Sequence, residues 1–337
     1  MARKATLTDV AREAGVSIAT VDRVINSRGG VERSKEEKVM RAARLLELDR
    51  RLDFASSQIR RVAVMVQPPT NPFHAELQAG IETARKMLAP LSVQMQVVHI
   101  PLGGHADIAK RIRGLRSWAD GLIISTSDVP EIAEAIRSIS DAIPVITLAT
   151  DIADCGRVAY VGPNDERSGR IAGDLLGMFM GESGGHVMML VGRLDMAGHR
   201  ARAKGFSEIL QRRHPQCVLS RMIETGEQRD LAHQLVHRSL KADPFIRGIY
   251  LLSVGATEVV EAVEGLGRQG TVHIVSHELT SNRRELLRQR RIHAVLDQNP
   301  RRETRLAAEA IACQLGRLAK VEEPLETNAQ IFMAENV

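Results

Sequence analysis

At 337 residues the chain is long enough for two or three domains with full cores. Its 46 Lys/Arg and 41 Asp/Glu leave a net charge of +5, and three scattered cysteines form no CxxC pair, which excludes a disulfide scaffold and fits a reducing compartment. Residues 1–61 hold 14 Lys/Arg and 9 Asp/Glu and the remainder 32 of each, so all the excess positive charge lies at one end, as expected if that end alone meets a polyanion.

The opening MARKATLTDV has no apolar signal core, and no segment approaches about 18 consecutive apolar residues, so a soluble, cytoplasmic chain with no membrane partner is expected. Residues 6–26, TLTDVAREAGVSIATVDRVIN, read as a helix-turn-helix with its own caps. Thr6 can cap a first helix, with Asp9 as its capping-box partner, and Val10, Ala11 and Ala14 fall on one face. Gly15 supplies the tight turn, and Ser17 caps a second helix whose Val21, Val24 and Ile25 pack back on the first. Ile18, Ala19, Asp22, Arg23 and Asn26 are left facing outward, where a recognition helix meets the major groove. An ordinary αα-hairpin is the alternative reading of this pattern. A third helix from about Lys35 to Leu48, with Val39, Ala42, Ala43 and Leu46 inward, completes an all-α headpiece over 1–48. Residues 49–60 lack apolar periodicity and read as a linker.

From residue 61 to 337 the pattern is α/β. Strands are expected at 61–67, 92–98, 121–126, 144–149, 186–191, 247–253, 272–276 and 293–298. Amphipathic helices between them include 73–88, 164–181, 197–213, 227–241 and 300–317. Apolar strands alternating with helices imply parallel sheets covered on both faces, and this length suits two parallel-sheet lobes with a cleft. Ligands of such sheets bind beyond the carboxyl ends of the strands.

No HExxH or Walker loop occurs, no GxSxG or GxGxxG follows a strand, and His105, His199 and His277 lack metal-ligand spacing. Neither catalysis nor a metal or cofactor is expected. The arginines at 283–284 and 288–291 resemble a basic patch, but the balanced charge of this region reads as a solvated helix face. Trp118, in an amphipathic stretch, reads as core or interface.

The stretch TLTDVAREAGVSIATVDRVINSRGGV, followed by a third helix ending in AARLLEL, resembles the LacI family of transcriptional regulators. The region beyond it is similar to type I periplasmic sugar-binding domains, through NPFHAELQAGIETA at 71–84, RARAKGF at 200–206 and LDQNP at 296–300. The resemblance implies that Ser17, Ile18, Ala19 and Arg23 reach DNA, with Thr6, Thr8 and Asn26 near phosphates or helix ends. Arg23 can give two donors to guanine, whereas Ile18 and Ala19 offer apolar contact. Asp22 stands where the family carries a small hydroxyl residue and would repel phosphate unless paired or reading a cytosine amino group. The family's hinge pattern, close to PNxxARxL with a Leu wedged in the minor groove, is missing from DRRLDFASSQIRR, where Leu52 and Phe54 are the candidates for a substitute wedge.

For the ligand, the resemblance implies contacts from Asn71, Phe73 and His74, from Arg202, from Glu278 where an Asp is usual, and from Gln298 near the crossovers between lobes. Asp128, after GLIISTS, is a candidate carboxylate for paired hydroxyls. Competing local roles stand beside these: Asn71 can shape a turn, Phe73 can be core, Asp128 can cap a helix and His74 can make a local hydrogen bond. Thr150 replaces a frequent Arg, and Ser253-Val254 replaces Asn-Asp, so no one relative's sugar specificity transfers. The expected protein is a homodimeric repressor that binds operator DNA and responds to a sugar, polyol or related metabolite. A cytosolic sugar-binding or sugar-converting protein with a vestigial headpiece is the rival reading.

Overall fold

The computed structural model describes residues 5–25, 30–46 and 58–337. Asn26, and Leu52 and Phe54 with the rest of the expected hinge before residue 58, lie outside them.

Helices α1 (Leu7–Ala14) and α2 (Ile18–Ile25) meet at Gly15, whose φ of +66° is the left-handed conformation that a Cβ would disfavour. The capping box is closed: the Thr6 hydroxyl accepts from the Asp9 amide at 3.3 Å, and the Asp9 carboxylate accepts from the Thr6 amide at 3.0 Å. The Ser17 hydroxyl accepts from the Thr20 amide at 3.1 Å and so starts α2. Helix α3 (Arg33–Leu45) begins two residues earlier than expected and closes the headpiece. Val10, Ala11, Ala14, Val21, Val39, Ala42 and Ala43 are its buried core, edged by Val24, Ile25 and Leu46. A core of Val and Ala alone buries little area, so the unit is marginal.

The remaining chain builds two six-stranded sheets. The first contains β1 (Arg60–Val66), β2 (Val93–His99), β3 (Gly121–Ile124), β4 (Val145–Leu148) and β5 (Ala159–Pro163), with α4 (Pro72–Leu88), α5 (His105–Gly114) and α6 (Pro130–Ser140) between them. The second contains β6 (Gly185–Val191), β7 (Cys217–Glu224), β8 (Ile246–Leu252), β9 (His273–His277) and β10 (Ala294–Asp297). Its helices are α7 (Asp165–Met180), α8 (Ala197–Arg213), α9 (Arg229–Ala242), α10 (Ala256–Glu264) and α11 (Ser281–Arg288). After β10 the chain returns to the first lobe as α12 (Pro300–Gln314), then adds β11 (Glu326–Thr327) beside β5 and β12 (Gln330–Phe332) beside β10. The orders are β11-β5-β4-β3-β1-β2 and β12-β10-β9-β8-β6-β7, and every described pairing is parallel except β10 with β12. Strands β3 and β4 are buried throughout because helices cover both faces of the sheet, which is why their sequences are continuously apolar.

Each sheet has a core on either side. In the first lobe α4 and α12 cover one face and α5 and α6 the other, with Trp118 partly buried against the second group. In the second, α7 and α8 cover one face, and they meet backbone to backbone. A Cβ on Gly169 would lie 2.0 Å from the Arg202 carbonyl, and one on Gly205 2.0 Å from that of Glu166.

The eight strands expected from sequence all form, within a few residues. Four strands were not expected, each for a local reason. Strand β7, CVLSRMIE, is an edge strand with mostly exposed residues and hence no apolar run. Strand β5, AYVGP, holds both Gly and Pro, while β11 and β12 have two and three residues. No helix among the described residues is long and apolar enough to cross a membrane.

Candidate effector cleft and recognition face

On α2, Ile18, Ala19 and Arg23 are exposed and Asp22 is half-buried, so the outward face expected from the sequence is largely present. Thr6, Thr8 and Ser17 are also exposed. Thr6 and Ser17 spend a side-chain lone pair on capping, which fixes the helices behind the exposed surface.

Between the two lobes lies a cavity enclosing about 110 Å³ of space for water centres, at the carboxyl ends of both sets of strands. From the first lobe come Gln67 after β1, Asn71, Phe73 and His74 at the start of α4, Leu102 after β2, Ser125 after β3 and Thr150 after β4. The second lobe supplies Arg193, Met196, His199 and Arg202 from the end of β6 into α8. Glu227 follows β7, Ser253 and Val254 follow β8, and Gln298 follows β10. His277, Glu278 and Arg283 come from the end of β9 and α11.

Arg202 is the hub. It is 5 % exposed, donates to Asp165 at 2.7 Å, to Gln298 at 2.9 Å and to Glu278 at 3.3 Å, and so ties α8 to α7 and to the ends of β9 and β10. Burial pulls its pKa down, but Asp165 and Glu278 outweigh that and raise it, so the guanidinium stays charged. Burial pushes the Glu278 carboxyl up to about 7 against the pull of Arg202, and its Oε2 is buried with no hydrogen-bond partner. Glu278 also holds φ at +67°, a strained position for a residue with a side chain.

The histidines of the cleft are neutral. Burial lowers His74 to about 4, and its Nδ1 has no partner. Burial, aided by the Arg202 charge, lowers His199 to about 4 and takes His277 well below its ordinary value. His277 Nε2 and the Tyr250 hydroxyl are 2.7 Å apart, and Tyr250 stacks on Phe206 at 4.3 Å beneath the cavity floor. Unsatisfied buried atoms such as Glu278 Oε2 and His74 Nδ1 are costly, and a polar ligand in the cleft can satisfy both.

The lobes touch across the mouth of the cleft. The Thr150 hydroxyl accepts from the Gly198 amide at 3.3 Å, and the Ser127 hydroxyl donates to Asp195 at 3.0 Å. The Asp128 amide donates to the Asp195 carbonyl at 3.0 Å, the Asp128 carboxylate pairs with Arg200, and His105 lies 3.6 Å from Asp195.

Asn71, Phe73, His74, Arg202, Glu278 and Gln298 thus converge on one cavity. Asn71 also caps α4, accepting from the His74 amide at 2.9 Å, and Phe73 packs on the core, so their structural roles coexist with a place in the lining. Asp128 stands outside the cavity lining, and the N-cap position of α6 is Val129, with no side-chain cap; the Asp128 carboxylate accepts from the Ala153 amide at 3.1 Å and joins the lobes through Arg200. Arg283 is a correction. It lies buried in the cleft rather than on a solvated face, donating to the Ser276 hydroxyl at 2.9 Å and the Ser253 carbonyl at 2.6 Å. Glu227 was missed because the strand before it was missed, and with it the loop to search.

Comparison with known proteins agrees with this arrangement. Residues 6–48 match the family described as bacterial regulatory proteins, lacI family, and residues 62–317 match the periplasmic binding protein domain. The ribose operon repressor of Halalkalibacterium halodurans is 23% identical over 278 residues, 78% of this chain and 76% of that protein. Catabolite control protein A of Priestia megaterium is 26% identical over 273 residues, 77% of this chain and 76% of the relative. An ABC transporter solute-binding protein from Burkholderia graminis, in complex with D-arabinose, superposes with a TM-score of 0.75 over 82% of this chain and 96% of its own, at 21% identity, which shows the shared two-lobed fold. By its headpiece the chain belongs to the lacI family of bacterial regulatory proteins, and the two lobes behind that headpiece are a periplasmic binding protein domain.

Proposed function

We propose that this protein is a homodimeric transcriptional repressor, working in the cytoplasm, whose affinity for operator DNA is set by a small hydroxylated effector held between its lobes. The observation that carries the reading is a cleft whose buried polar atoms, Glu278 Oε2 and His74 Nδ1, lack partners, on a chain that also presents Ile18, Ala19 and Arg23 on an exposed helix. Ser17, Ile18, Ala19 and Arg23 read base edges, Arg23 by two donors to guanine, while Thr6, Thr8 and Asn26 serve the DNA phosphates and Asp22 accepts from a cytosine amino group. Asn71, Phe73, His74, Arg202, Glu278 and Gln298 contact the effector. The ring of Phe73 can cover an apolar sugar face while the amides and charges meet hydroxyls. Two headpieces would bind half-sites of a pseudo-palindrome.

An effector acts only through its different affinity for the DNA-competent and incompetent arrangements of the lobes, about 1–3 kcal/mol in typical cases. The test is selection of a binding site from random DNA, followed by titration with and without neutral sugars and polyols at several salt concentrations. Salt-dependent, sequence-selective binding that a cleft ligand shifts in either direction supports the reading. Binding that is salt-insensitive and indifferent to Arg23→Ala favours the rival, a sugar-binding protein with a vestigial headpiece.

A further inference from the structure

Among the described residues, the cleft contains two charges that no opposite charge touches. Arg193 is paired with Asp195, and Arg202 with Asp165 and Glu278. Arg283 is 6 % exposed, and its hydrogen bonds go only to neutral oxygens: Nε to the Ser276 hydroxyl and Nη2 to the Ser253 carbonyl. Its Nη1 makes no hydrogen bond within the described residues. Glu227 accepts one hydrogen bond, at 3.3 Å from the Val254 amide, and no cation lies within ion-pair distance of it among the described residues. Both side chains line the cavity.

Their placement is specific. The Ser253 carbonyl and the Val254 N–H belong to one peptide group, so Arg283 holds one side of it and Glu227 the other. Glu227 has φ +61°, and a Cβ on Gly192 would stand 1.7 Å from its Oε1, so the fold accepts backbone strain and keeps a bare backbone to seat this carboxylate. Ser253 and Val254 line the cavity together with Arg283 and Glu227.

We propose that Arg283 and Glu227 are the specificity-determining pair of the cleft. They take adjacent hydroxyls of an uncharged polyol or sugar, one accepting from Arg283 and one donating to Glu227. This rests on the reading of the cleft as the effector site and deepens it. The charge of the cleft supports an uncharged ligand. Asp195 pairs with Arg193, and Asp165 and Glu278 with Arg202, which leaves Arg283 and Glu227, one of each sign, as the lining charges without an ion pair among the described residues. An acidic or phosphorylated ligand would gain Arg283 but meet Glu227 and Glu278 in the same low-dielectric space. Two vicinal hydroxyls satisfy both orphaned groups with no net charge.

The experiment is calorimetric titration of the full chain with D-arabinose, D-galactose, D-glucose and ribitol, and with D-galacturonate, D-glucuronate and D-glucosamine as charged counterparts. At least one neutral compound is expected to bind, with its uronate weaker by about tenfold or more. Arg283→Met and the near-isosteric Glu227→Gln should each weaken that neutral compound by about tenfold or more, while Glu227→Gln narrows the gap between the sugar and its uronate. A merely structural role would not change that selectivity. A single unwild-type-like unfolding profile in Arg283→Met is controlled by Arg283→Lys, which keeps the charge, and by Glu227→Gln, which keeps the volume. The proposal is overturned by a uronate that binds the native chain more tightly than its sugar, by both variants binding as the native chain does, or by no neutral compound binding. Binding lost in Arg202→Ala but unchanged in Arg283→Met and Glu227→Gln removes this assignment alone. Binding unchanged in Arg202→Ala as well removes the cleft reading with it.

Discussion

The carbonyl of Arg202 occupies the place where a side chain on Gly169 would begin, 2.0 Å from the position of that missing Cβ. Helices α7 and α8 therefore touch through their backbones at the very residue whose guanidinium organises the cleft. Gly169→Ala should push α8 away and cost about 1–3 kcal/mol, as overpacking does. Urea unfolding would measure the loss, and effector affinity should fall with it because Arg202 moves. An unaltered midpoint and affinity would mean that the helices separate freely.

Arg202→Ala should be more damaging than its lost contacts suggest. It leaves Asp165 buried with no cation, and Glu278 with no ion-pair partner, among the described residues. Breaking a buried pair in this way costs about 3–5 kcal/mol. Equilibrium unfolding of the variant tests this, and Arg202→Lys should recover part of the stability because it restores the charge without the three-way fork.

Glu278 predicts a pH dependence of definite sign. Its carboxyl is raised by burial from the ordinary 4.5 to about 7, so the folded chain holds that proton more tightly than the unfolded chain. Between these values the native state binds more protons, and this group lowers stability as pH rises from 4.5 towards 7. His74, lowered to about 4 by burial, acts in the opposite sense up to 6.5, but it is present in both proteins when Glu278→Gln is compared with the native chain. The stability of Glu278→Gln relative to the native chain should therefore climb across pH 4.5–7, as followed by chemical denaturation. A flat difference would show that Glu278 titrates as an ordinary carboxyl.

The contacts across the mouth of the cleft make closure testable without any ligand. Asp128→Asn weakens the link to Arg200, and Asp195→Asn weakens those to Ser127 and His105 together with its pair to Arg193 on the same lobe. These groups are partly exposed, so each change should cost only about 0–1 kcal/mol of overall stability. Small-angle scattering of the double variant should nonetheless report a larger radius of gyration, because these bonds join the lobes directly.

In the headpiece, Thr6→Ala opens the capping box and should cost about 0.5–2 kcal/mol of local stability. Arg23→Ala should leave folding intact, since Arg23 is exposed, yet remove about 1–3 kcal/mol of discrimination at one base pair. Fluorescence anisotropy with site and mismatched duplexes separates the two effects.

The headpiece was legible because its signals are local. A capping box, a left-handed glycine and a short apolar stripe each act within a few residues, and all are found where the sequence placed them. Buried central strands were legible for the same reason, as continuous apolar runs. What the sequence hid was decided at long range. Strand β7 is held at an edge by pairing with β6 alone, so it needs no apolar signature. Arg283 looked like surface charge because its neighbours 284 and 288–291 are basic, whereas its burial is set by β8 and β9, which bring the Ser253 carbonyl and the Ser276 hydroxyl to it. Asp128 looked like a ligand group because it follows a strand; its partner Arg200 lies 72 positions away on the other lobe.

The return of α12 to the first sheet has a consequence for how the protein is made. Leu77 and Ile81 of α4 share a core with Leu306 and Ile311 of α12, so the first lobe is completed by residues that follow β6 to β10 of the second. During synthesis the second lobe has all of β6 to β10 before α12 exists, while the first waits with one face of its sheet half covered. Contacts of such sequence separation slow folding and leave apolar surface open to aggregation in the meantime. The lobe that begins first therefore waits for most of the other, and a chain stopped before residue 300 would lack a whole covering helix of the first core but, of the second, chiefly the short edge strand β12 with its Phe332.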